Sequence, residues 1–259
     1  MSRIAFTKGH GTGNDFIVVL DEFDELRMSE SQIARLCDRH FGLGADGILR
    51  AVHDSLWFMD YRNADGSIAQ MCGNGIRVFA EFLFQKNLIG HVADIKTRAG
   101  VRHVERVGDN VWSVDMGEVI LASSSTTVTF RHVDYQANPV SVGNPHLVIH
   151  LNSLAHLPDQ LVWDDVENVI SEPDGFNLEF YEVTSAHEVT MRVLERGVGE
   201  TFSCGTGACA VAQVHMRNTE STSCVVNVPG GSLSVDAVPH GLRLTGPVEF
   251  IADGYVEVT

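Results

Sequence analysis

The sequence predicts an α+β protein made of two similar halves, and a repeated motif is the main reason for this prediction. A Cys-Gly-Asn-Gly turn occupies positions 72–75, and a Cys-Gly-Thr-Gly turn follows 132 positions later at 204–207. Each turn opens a stretch of helical character, because apolar residues recur at helical spacing over 76–86 and Ala and Val dominate 208–216. Strand patterns separated by Gly, Pro and Asn turns fill both halves. We expect the boundary between the halves near 116–118.

The remaining elements follow from capping and periodicity. Ser29 and Gln32 form a capping box for a helix that runs to Arg39. A further helix is predicted over 159–170, where the broad apolar face consists of Leu161, Val162, Val166, Val169 and Ile170. Strands are predicted near 3–7, 15–20, 48–53, 56–62, 92–98, 101–107, 111–116, 126–133, 146–151, 177–183 and 188–194, and short strands close the chain.

Composition and charge argue against several classes of partner. The 259 residues are 44% hydrophobic, which is enough for a core, and the net charge of −16 argues against nucleic acid or an anionic membrane as partner. The N-terminal residues lack the apolar run of a signal peptide, and the five cysteines are odd in number, so we expect a cytoplasmic protein with free thiols. The cysteine and histidine spacings form no zinc pattern.

The two cysteine turns predict acid/base chemistry. A thiol at a helix N-terminus lies against the positive end of the helix dipole, which lowers its pKa from about 8.5 toward neutrality. The N–H groups that open a helix can hold a carboxylate or a phosphate. Two such turns in corresponding halves indicate a pair of matched acid/base groups that close on one ligand.

Motifs along almost the whole chain resemble the diaminopimelate epimerase family, whose members interconvert LL- and meso-diaminopimelate. The matching stretches are His-Gly-Thr-Gly-Asn-Asp-Phe at 10–16, Gly-Leu-Gly-Ala-Asp-Gly at 42–47, Tyr-Arg-Asn-Ala-Asp-Gly-Ser at 61–67, Met-Cys-Gly-Asn-Gly at 71–75, Gly-Asn-Pro-His at 143–146, Glu-Arg-Gly-Val-Gly-Glu at 195–200, Ser-Cys-Gly-Thr-Gly at 203–207 and Pro-Gly-Gly-Ser at 229–232. The sequence Met-Asp-Tyr-Arg-Asn-Ala-Asp-Gly at 59–66 is most similar to that of actinobacterial members.

The resemblance implies a fold, an assembly and a reaction. The fold would be two pseudo-symmetric domains, each a β-barrel-like sheet around a central helix, with the active site in the cleft between them. The first domain would comprise 1–117 plus 248–259 and the second 118–247. The resemblance also implies a homodimer that uses no cofactor and no metal, and an epimerase acting in lysine and peptidoglycan precursor biosynthesis.

The resemblance also assigns site residues. Cys72 and Cys204 would be the catalytic thiol/thiolate pair. The residues expected to bind substrate are Asn14, Asn63, Gly73, Asn74, Asn144, Asn177, Glu195, Arg196, Gly205 and Thr206. Among these, Arg196 suits the distal carboxylate through its bidentate fork and Glu195 suits the distal amine. His146 and Glu195 match positions associated with tuning the cysteine pKa values. At Gly47 the chain departs from members whose side chain contacts substrate.

Three other functions stay open at this point. A proline or hydroxyproline racemase would share the fold and the paired cysteines, but Glu195-Arg196 and the asparagines suit a polar second end that proline lacks. A non-catalytic amino-acid-binding protein would not need both thiols. A thiol-redox protein would use a reversible Cys72–Cys204 disulfide, which peroxide treatment and peptide mass spectrometry would detect.

Overall fold

The computed structural model describes residues 2–168 and 175–258, and these contain three α-helices and 19 strands. The helices are α1 Glu30–Cys37, α2 Gly73–Gln85 and α3 Gly205–Thr219. The strands are β1 Ser2–Gly11, β2 Asn14–Leu20, β3 Gly47–His53, β4 Trp57–Asn63, β5 Val92–Thr97, β6 Gly100–Gly108, β7 Val111–Gly117, β8 Ile120–Leu121, β9 Thr126–Phe130, β10 Val133–Ser141, β11 Pro145–His150, β12 Val166–Asn168, β13 Asn177–Ser185, β14 Glu188–Glu195, β15 Gly199–Thr201, β16 Ser223–Val228, β17 Gly231–Val238, β18 Gly241–Pro247 and β19 Glu249–Val258. The predicted α+β class is confirmed.

The chain divides into two compact units. Unit 1 comprises Met1–Asp115 with Gly246–Thr259, and unit 2 comprises Met116–Thr245. The chain therefore passes from unit 1 to unit 2 within β7 and returns within β18. None of the α-helices formed by the described residues is long and apolar enough to cross a membrane.

The sheet of unit 1 packs against a buried helix. Its strands pair in the order β19, β1, β2, β3, β4, β5, β6 and β7. Helix α2 contacts β1, β2 and β3, and every residue from Gly73 to Leu83 is buried. The C-terminal strand β19 pairs antiparallel with β1 along most of its length. The N-terminal strand is thus held between β19 and β2 instead of forming an open edge.

The sheet of unit 2 also packs against a buried helix. Strands β10, β11, β13, β14, β16, β17 and β18 pair in that order, while β8 and β9 pair with β10, β12 with β9 and β15 with β14. Helix α3 contacts β10, β11, β13, β14, β16 and β17. It is rich in Ala and Val and buried from Gly207 to Ala212. Small side chains suit a helix that packs against strands on several sides.

The two units share one topology. In unit 1 two of the six strand pairings, β2/β3 and β4/β5, are parallel. The other four, β1/β2, β3/β4, β5/β6 and β6/β7, are antiparallel. Unit 2 has the same pattern: β11/β13 and β14/β16 are parallel. Its other four pairings, β10/β11, β13/β14, β16/β17 and β17/β18, are antiparallel. The buried helix lies within the crossover of the second parallel pair in both units, as parallel strands require a long connection. Residues can therefore be matched by strand position.

Helix α1 begins as predicted. The Ser29 side chain accepts a hydrogen bond from the Gln32 backbone, and the Gln32 side chain accepts one from the Ser29 backbone N–H at 2.9 Å. Ile33, Leu36 and Cys37 are buried against the β-sheet of unit 1. The helix ends at Cys37, two residues before the predicted end at Arg39.

The helix predicted over 159–170 is wrong over the part that the structure describes. Residues Trp163–Asp165 form a single 3₁₀ turn and Val166–Asn168 form β12, while 169 and 170 lie outside the described residues. Two tertiary hydrogen bonds hold the segment out of a helix. The Leu161 N–H donates to the Glu200 carboxylate at 2.7 Å, and the Trp163 indole donates to the Glu195 carbonyl oxygen at 3.0 Å. The periodicity of apolar residues does not reveal hydrogen bonds to distant parts of the chain.

The single strand predicted over 126–133 is in fact a hairpin. Strands β9 and β10 pair from Phe130↔Val133, and the two residues between them, Arg131 and His132, have φ values of 51° and 62°. A two-residue hairpin loop requires this left-handed backbone at both positions. Neither residue is a Gly or Asn, so the turn has no signal in the sequence.

A buried acidic residue links α2 to the sheet of unit 1. The Glu81 carboxylate, at 1% exposure, accepts a 2.6 Å hydrogen bond from the Trp112 indole and a 3.1 Å hydrogen bond from the Arg106 guanidinium. Because Trp112 is fully buried in β7, its N–H has to be satisfied from within the protein.

We predict that Glu81→Ala lowers the free energy of unfolding by about 3 kcal/mol, because it leaves the buried Trp112 indole N–H without its acceptor and removes the carboxylate that pairs with the partly buried Arg106. Urea denaturation followed by Trp fluorescence measures this change. The exposed Asp109 also faces Arg106, at 3.7 Å, so Asp109→Ala is the matched control and should leave the midpoint unchanged. Equal midpoints for both variants would show that Glu81 does not anchor the helix.

Candidate active site

Cys72 is the N-cap of α2. Its backbone is extended, with φ −139° and ψ 123°, and its sulfur accepts a hydrogen bond from the Gly75 N–H at 3.4 Å. The thiol takes the place of the Ser, Thr or Asp oxygen that usually caps a helix. The residue is partly exposed, so its sulfur stands at the surface of unit 1 while the helix behind it is buried.

A charged network fixes Asn14 beside this sulfur. Strands β1 and β2 turn at Thr12-Gly13, which both have positive φ, so Asn14 directly opens β2. The Asn14 amide nitrogen donates to Asp46 at 2.7 Å, which directs its oxygen to the Cys72 sulfur at 3.4 Å. Asp46 in turn accepts a hydrogen bond from Arg39 at 2.9 Å. We call Asn14, Cys72 and Asn74 the first half-site.

An arginine lies beneath the first turn of α2. Arg77 is fully buried and donates to the Gly73 carbonyl oxygen at 3.2 Å and to the Asn74 side-chain oxygen at 2.6 Å. The Asn74 amide nitrogen is 3.5 Å from the Asn14 oxygen. The positive charge of Arg77 favours a bound anion at this helix terminus.

Asn63 and Gly47 lie together at one end of unit 1. They are cross-strand partners in β3 and β4, and the Asn63 side chain donates to the Ser67 hydroxyl at 3.0 Å in the following turn. A Cβ atom at Gly47 would lie 2.7 Å from the Tyr61 ring and would overlap the Arg62 carbonyl oxygen. The position therefore has no room for a side chain on this backbone.

Cys204 is the N-cap of α3 and repeats the geometry of Cys72. Its φ is −122° and its ψ 115°, and its sulfur accepts a hydrogen bond from the Gly207 N–H at 3.4 Å. The Thr206 hydroxyl is also 3.4 Å from the sulfur. In contrast to Cys72, Cys204 is buried, at 7% exposure.

The environment of Cys204 favours the protonated thiol. Burial raises the pKa of this thiol well above its ordinary value, and the nearby Glu195 and Glu179 carboxylates raise it further, against hydrogen bonds from Thr206 and Gly207. The effect of the helix N-terminus is therefore outweighed at this position, so the pKa of Cys204 is raised, contrary to the expectation for a thiol at a helix N-terminus. Burial also raises the pKa of Glu195, although Thr201 donates to its carboxylate at 2.5 Å.

A chain of side chains leads away from Cys204 into the interior of unit 2. The Asn144 amide nitrogen donates to the Thr206 hydroxyl at 3.3 Å, and the Asn144 oxygen is 3.1 Å from Nε2 of His146. Nδ1 of His146 is 2.6 Å from the Glu179 carboxylate, and both of these side chains are fully buried. We call Asn144, His146, Glu195, Cys204 and Thr206 the second half-site.

Asn177 ties the second half-site to the loop that carries Arg196. Its side-chain oxygen accepts the Arg196 backbone N–H at 3.0 Å, and its amide nitrogen is 3.5 Å from the Pro145 carbonyl oxygen. The Arg196 side chain itself is exposed, at the end of β14. It is thus oriented from its backbone while its guanidinium stays accessible.

Comparison with known proteins identifies the family. The family model for diaminopimelate epimerase matches residues 6–122 and 139–251. The chain belongs to the diaminopimelate epimerase family. Diaminopimelate epimerases from two actinobacteria are similar to it: that of Streptomyces coelicolor is 40% identical, over 98% of this chain and 95% of the relative, and that of Corynebacterium glutamicum strain R is 42% identical, over 98% and 99%. The resemblance stated from the motifs is confirmed.

Solved structures share the fold at low identity. A phenazine biosynthesis protein of the PhzF family from Bacillus anthracis has a TM-score of 0.75 at 15% identity and covers all of both chains. A hydroxyproline epimerase from Agrobacterium vitis, with bound trans-4-hydroxy-L-proline, has a TM-score of 0.74 at 12% identity, over 98% of this chain and 92% of that one. These likenesses confirm the fold of the diaminopimelate epimerase family.

Within each unit, the structure brings most of the predicted residues to the N-terminus of the buried helix. Hydrogen bonds connect Asn14 and Asn74 with Cys72 in unit 1, and Asn144, His146 and Thr206 with Cys204 in unit 2. The Asn63 side chain instead donates to the Ser67 hydroxyl. The roles of all these residues in binding and catalysis stay predictions.

Sequence reasoning missed three polar residues behind the half-sites. Asp46 orients Asn14, Arg77 holds Asn74, and Glu179 contacts His146. Of these, only Glu179 could have been predicted from the sequence as a buried polar residue. It is an acidic residue between Leu178 and Phe180, in a strand that otherwise begins like a core strand. A charged residue in such a run is buried only when it has a partner.

We predict that Cys204 reacts with iodoacetamide at pH 7.5 at least about tenfold more slowly than free cysteine, because each unit of raised pKa removes about nine-tenths of the thiolate. Time-resolved peptide mass spectrometry gives the rate at this cysteine. Glu195→Gln removes a neighbouring negative charge and should accelerate the reaction several-fold. Glu167→Gln, whose side chain faces the exposed His132, is the control. A wild-type rate equal to that of free cysteine would contradict a protonated resting state.

Proposed function

We propose that this protein interconverts LL- and meso-diaminopimelate without a cofactor or metal, using Cys72 and Cys204 as a thiol/thiolate pair, in lysine and peptidoglycan precursor biosynthesis. The observation that carries the proposal is the pair of cysteine N-caps, at φ −139° and −122°, in a chain that belongs to the diaminopimelate epimerase family. A cysteine N-cap places the sulfur at the end of the helix where negative charge is stabilised.

Inverting a carbon centre requires a base on one face and an acid on the other. One thiolate would take the α-proton and become a thiol, while the other thiol would give its proton to the opposite face and become a thiolate. For the substrate of the opposite configuration the two roles exchange. The raised pKa of Cys204 supports a resting enzyme in which Cys204 is the thiol and acts first as the acid.

The α-carboxylate needs donors that also stabilise the carbanion-like transition state. Backbone N–H groups at a helix N-terminus supply such donors. We assign this role to Gly73 and Asn74 at α2 and to Gly205 and Thr206 at α3. The buried Arg77 supports an anion at the first of these sites, because it hydrogen-bonds both the Gly73 carbonyl oxygen and the Asn74 side chain.

The remaining assigned residues would bind the rest of the substrate. Arg196 would bind the distal carboxylate and Glu195 the distal amine, while Asn14, Asn63, Asn144 and Asn177 would donate to and accept from the two charged ends. His146 and Glu195 would tune the cysteine pKa values. The position of Glu195 supports this, because its carboxylate is one cause of the raised pKa of Cys204.

We further infer that the protein is a cytoplasmic homodimer whose epimerase domains are 1–117 plus 248–259 and 118–247. The boundaries between the compact units, at 115/116 and 245/246, each lie two residues before the proposed domain boundary. Family resemblance supports the assembly and the compartment. Sedimentation equilibrium of the purified protein tests the assembly, because a dimer has twice the chain mass of 28.3 kDa.

The decisive test is α-proton exchange in deuterated water, followed by NMR, with LL-diaminopimelate, proline and hydroxyproline offered separately. We expect exchange and inversion with diaminopimelate alone. Cys72→Ala and Cys204→Ala should each lower the inversion rate by at least about 1,000-fold, since each removes one of the two proton-transferring groups. Buried Cys209→Ala is the control for loss of a thiol from α3. Inversion of proline alone would overturn the substrate, and full activity in either catalytic variant would overturn the mechanism.

A second prediction concerns the distal carboxylate. Arg196→Met should lower kcat/KM for diaminopimelate by about 10- to 100-fold, because a charge-assisted hydrogen bond contributes about 1.5–3 kcal/mol. Steady-state kinetics by a coupled assay or by NMR measures this. Arg217→Met is the control, since Arg217 lies in the last turn of α3 and bonds Asn138. Unchanged kinetics in Arg196→Met would assign the distal carboxylate to another residue.

A further inference from the structure

We propose that Glu179 is a positioning residue for Cys204: it fixes a proton on Nδ1 of His146 and, through Asn144, directs the Thr206 hydroxyl at the sulfur. The proposal rests on the proposed function, in which Cys204 loses and regains a proton in each turnover. It assigns a role to a residue that the motifs did not mark.

The contact between Glu179 and His146 determines where the proton lies. Glu179 Oε1 is 2.6 Å from Nδ1, and both side chains are 0% exposed. An ionised carboxylate only accepts hydrogen bonds, so Nδ1 carries a proton; the Asn144 oxygen, 3.1 Å from Nε2, also only accepts, so His146 donates from both ring nitrogens and forms an ion pair with Glu179. Within the described residues Glu179 Oε2 has no hydrogen-bond partner, so the buried carboxylate depends on His146 for its stabilisation.

The rest of the chain transmits this orientation to the sulfur. When Cys204 is a thiolate, the Thr206 hydroxyl donates to it, while the Thr206 oxygen accepts from the Asn144 amide nitrogen and the Asn144 oxygen accepts from Nε2–H. When Cys204 is a thiol, its S–H can donate to the second lone pair of the Thr206 oxygen. The bonds from Asn144 through His146 to Glu179 are the same in both states, so only the Cys204 proton moves. Glu179 is therefore the fixed end of a chain whose other end follows the state of Cys204.

The matching positions of unit 1 show that the fold does not need a polar pair here. In the parallel pairings, Phe16 faces Gly47 in β2/β3 and His146 faces Asn177 in β11/β13, so Phe16 matches His146. Two residues farther along β3 and β13, Leu49 matches Glu179. Phe16 and Leu49 are both fully buried and lie 3.3 and 3.5 Å from the Cβ position of Gly75. Unit 1 thus fills with apolar groups the space that unit 2 fills with a histidine and a carboxylate.

The corresponding glycine of α3 leaves space for this carboxylate. A Cβ atom at Gly207 would lie only 2.8 Å from Glu179 Oε1. The second glycine of the Cys-Gly-Thr-Gly turn therefore allows the carboxylate to approach the first turn of the helix that Cys204 caps. Burying an ionised pair where an apolar pair also fits adds no stability by itself, so the pair points to a role in the reaction.

The test compares Glu179→Gln with the wild type. A glutamine keeps the shape but removes the charge that holds one of the two ring protons, so His146 can become either neutral tautomer, and the Nδ1–H tautomer can no longer donate to Asn144. We expect kcat for diaminopimelate to fall by roughly 10- to 100-fold, as for other residues that orient a functional group, with little change in KM. The ¹⁵N spectrum of the His146 ring should change from a doubly protonated ring in the wild type to a mixture of neutral tautomers.

Two further variants separate positioning from stability. Glu182→Gln changes another carboxylate of β13, which accepts the Leu154 N–H, and should leave kcat and the His146 spectrum unchanged. The double variant His146→Phe with Glu179→Leu recreates the pair found in unit 1, and should fold with an undiminished Tm while losing activity to at least the extent of Glu179→Gln.

The outcomes distinguish this inference from the proposed function. Wild-type kcat together with an unchanged ring spectrum in Glu179→Gln would overturn the positioning role. A fall in kcat and Tm without any change in the ring spectrum would also overturn it, since Glu179 would then be merely structural. If the wild type has no activity on diaminopimelate but Glu179→Gln still changes the ring spectrum, the proposed function fails while Glu179 retains its role toward His146.

Discussion

The use of a thiol as the N-cap of a buried helix is the constraint on which the rest of each unit depends. A helix can carry a sulfur in this way only if its N-terminus lies near the end of a strand while its body packs against the sheet, as in α2 and α3. The crossover that carries each helix therefore has to start where a strand ends. The same strand order then places polar residues at matching points: Asn14 opens β2 and Asn144 directly precedes β11, while Asn63 ends β4 and Glu195 ends β14.

The same frame carries opposite buried charges at its two helix termini. Arg77 lies beneath the first turn of α2, and Glu179 lies beside the first turn of α3. The proposed reaction draws a proton from a thiol and gives one to a thiolate, so it needs a defined starting state, because two thiols or two thiolates would be inactive. Burial, together with the carboxylates of Glu195 and Glu179, raises the pKa of Cys204. In the proposed reaction, unlike charges in two units of like topology would thus distinguish the acid from the base.

The sequence predicts this arrangement only where the determinants are local. The capping box at Ser29 and the two Cys-Gly-x-Gly turns combine a cap with a helical pattern, so their positions and the α+β class follow directly from the residues. The segment 159–165 shows an equally plausible pattern, but Glu200 and the Glu195 backbone bind it from elsewhere in the chain. The turn at Arg131-His132 is also set by the pairing of β9 with β10 and not by its own residues. Likewise, the cysteines could be found from their glycines, whereas Asp46, Arg77 and Glu179 act through contacts that form only after folding.

The comparison of the units explains why such hidden residues matter for the chemistry. A helix dipole alone would favour the thiolate at both cysteines, and at Cys204 it is outweighed by burial and by two carboxylates. Those carboxylates would be destabilising in an apolar interior without compensation. His146 compensates Glu179, and Thr201 bonds Glu195, so each charge near Cys204 is held by a group that belongs to the same unit. Unit 1 forms the equivalent interior with Phe16 and Leu49. The polar interior of unit 2 is therefore a departure from what folding requires, and it is located where the proposed reaction has to keep, release and recover one proton.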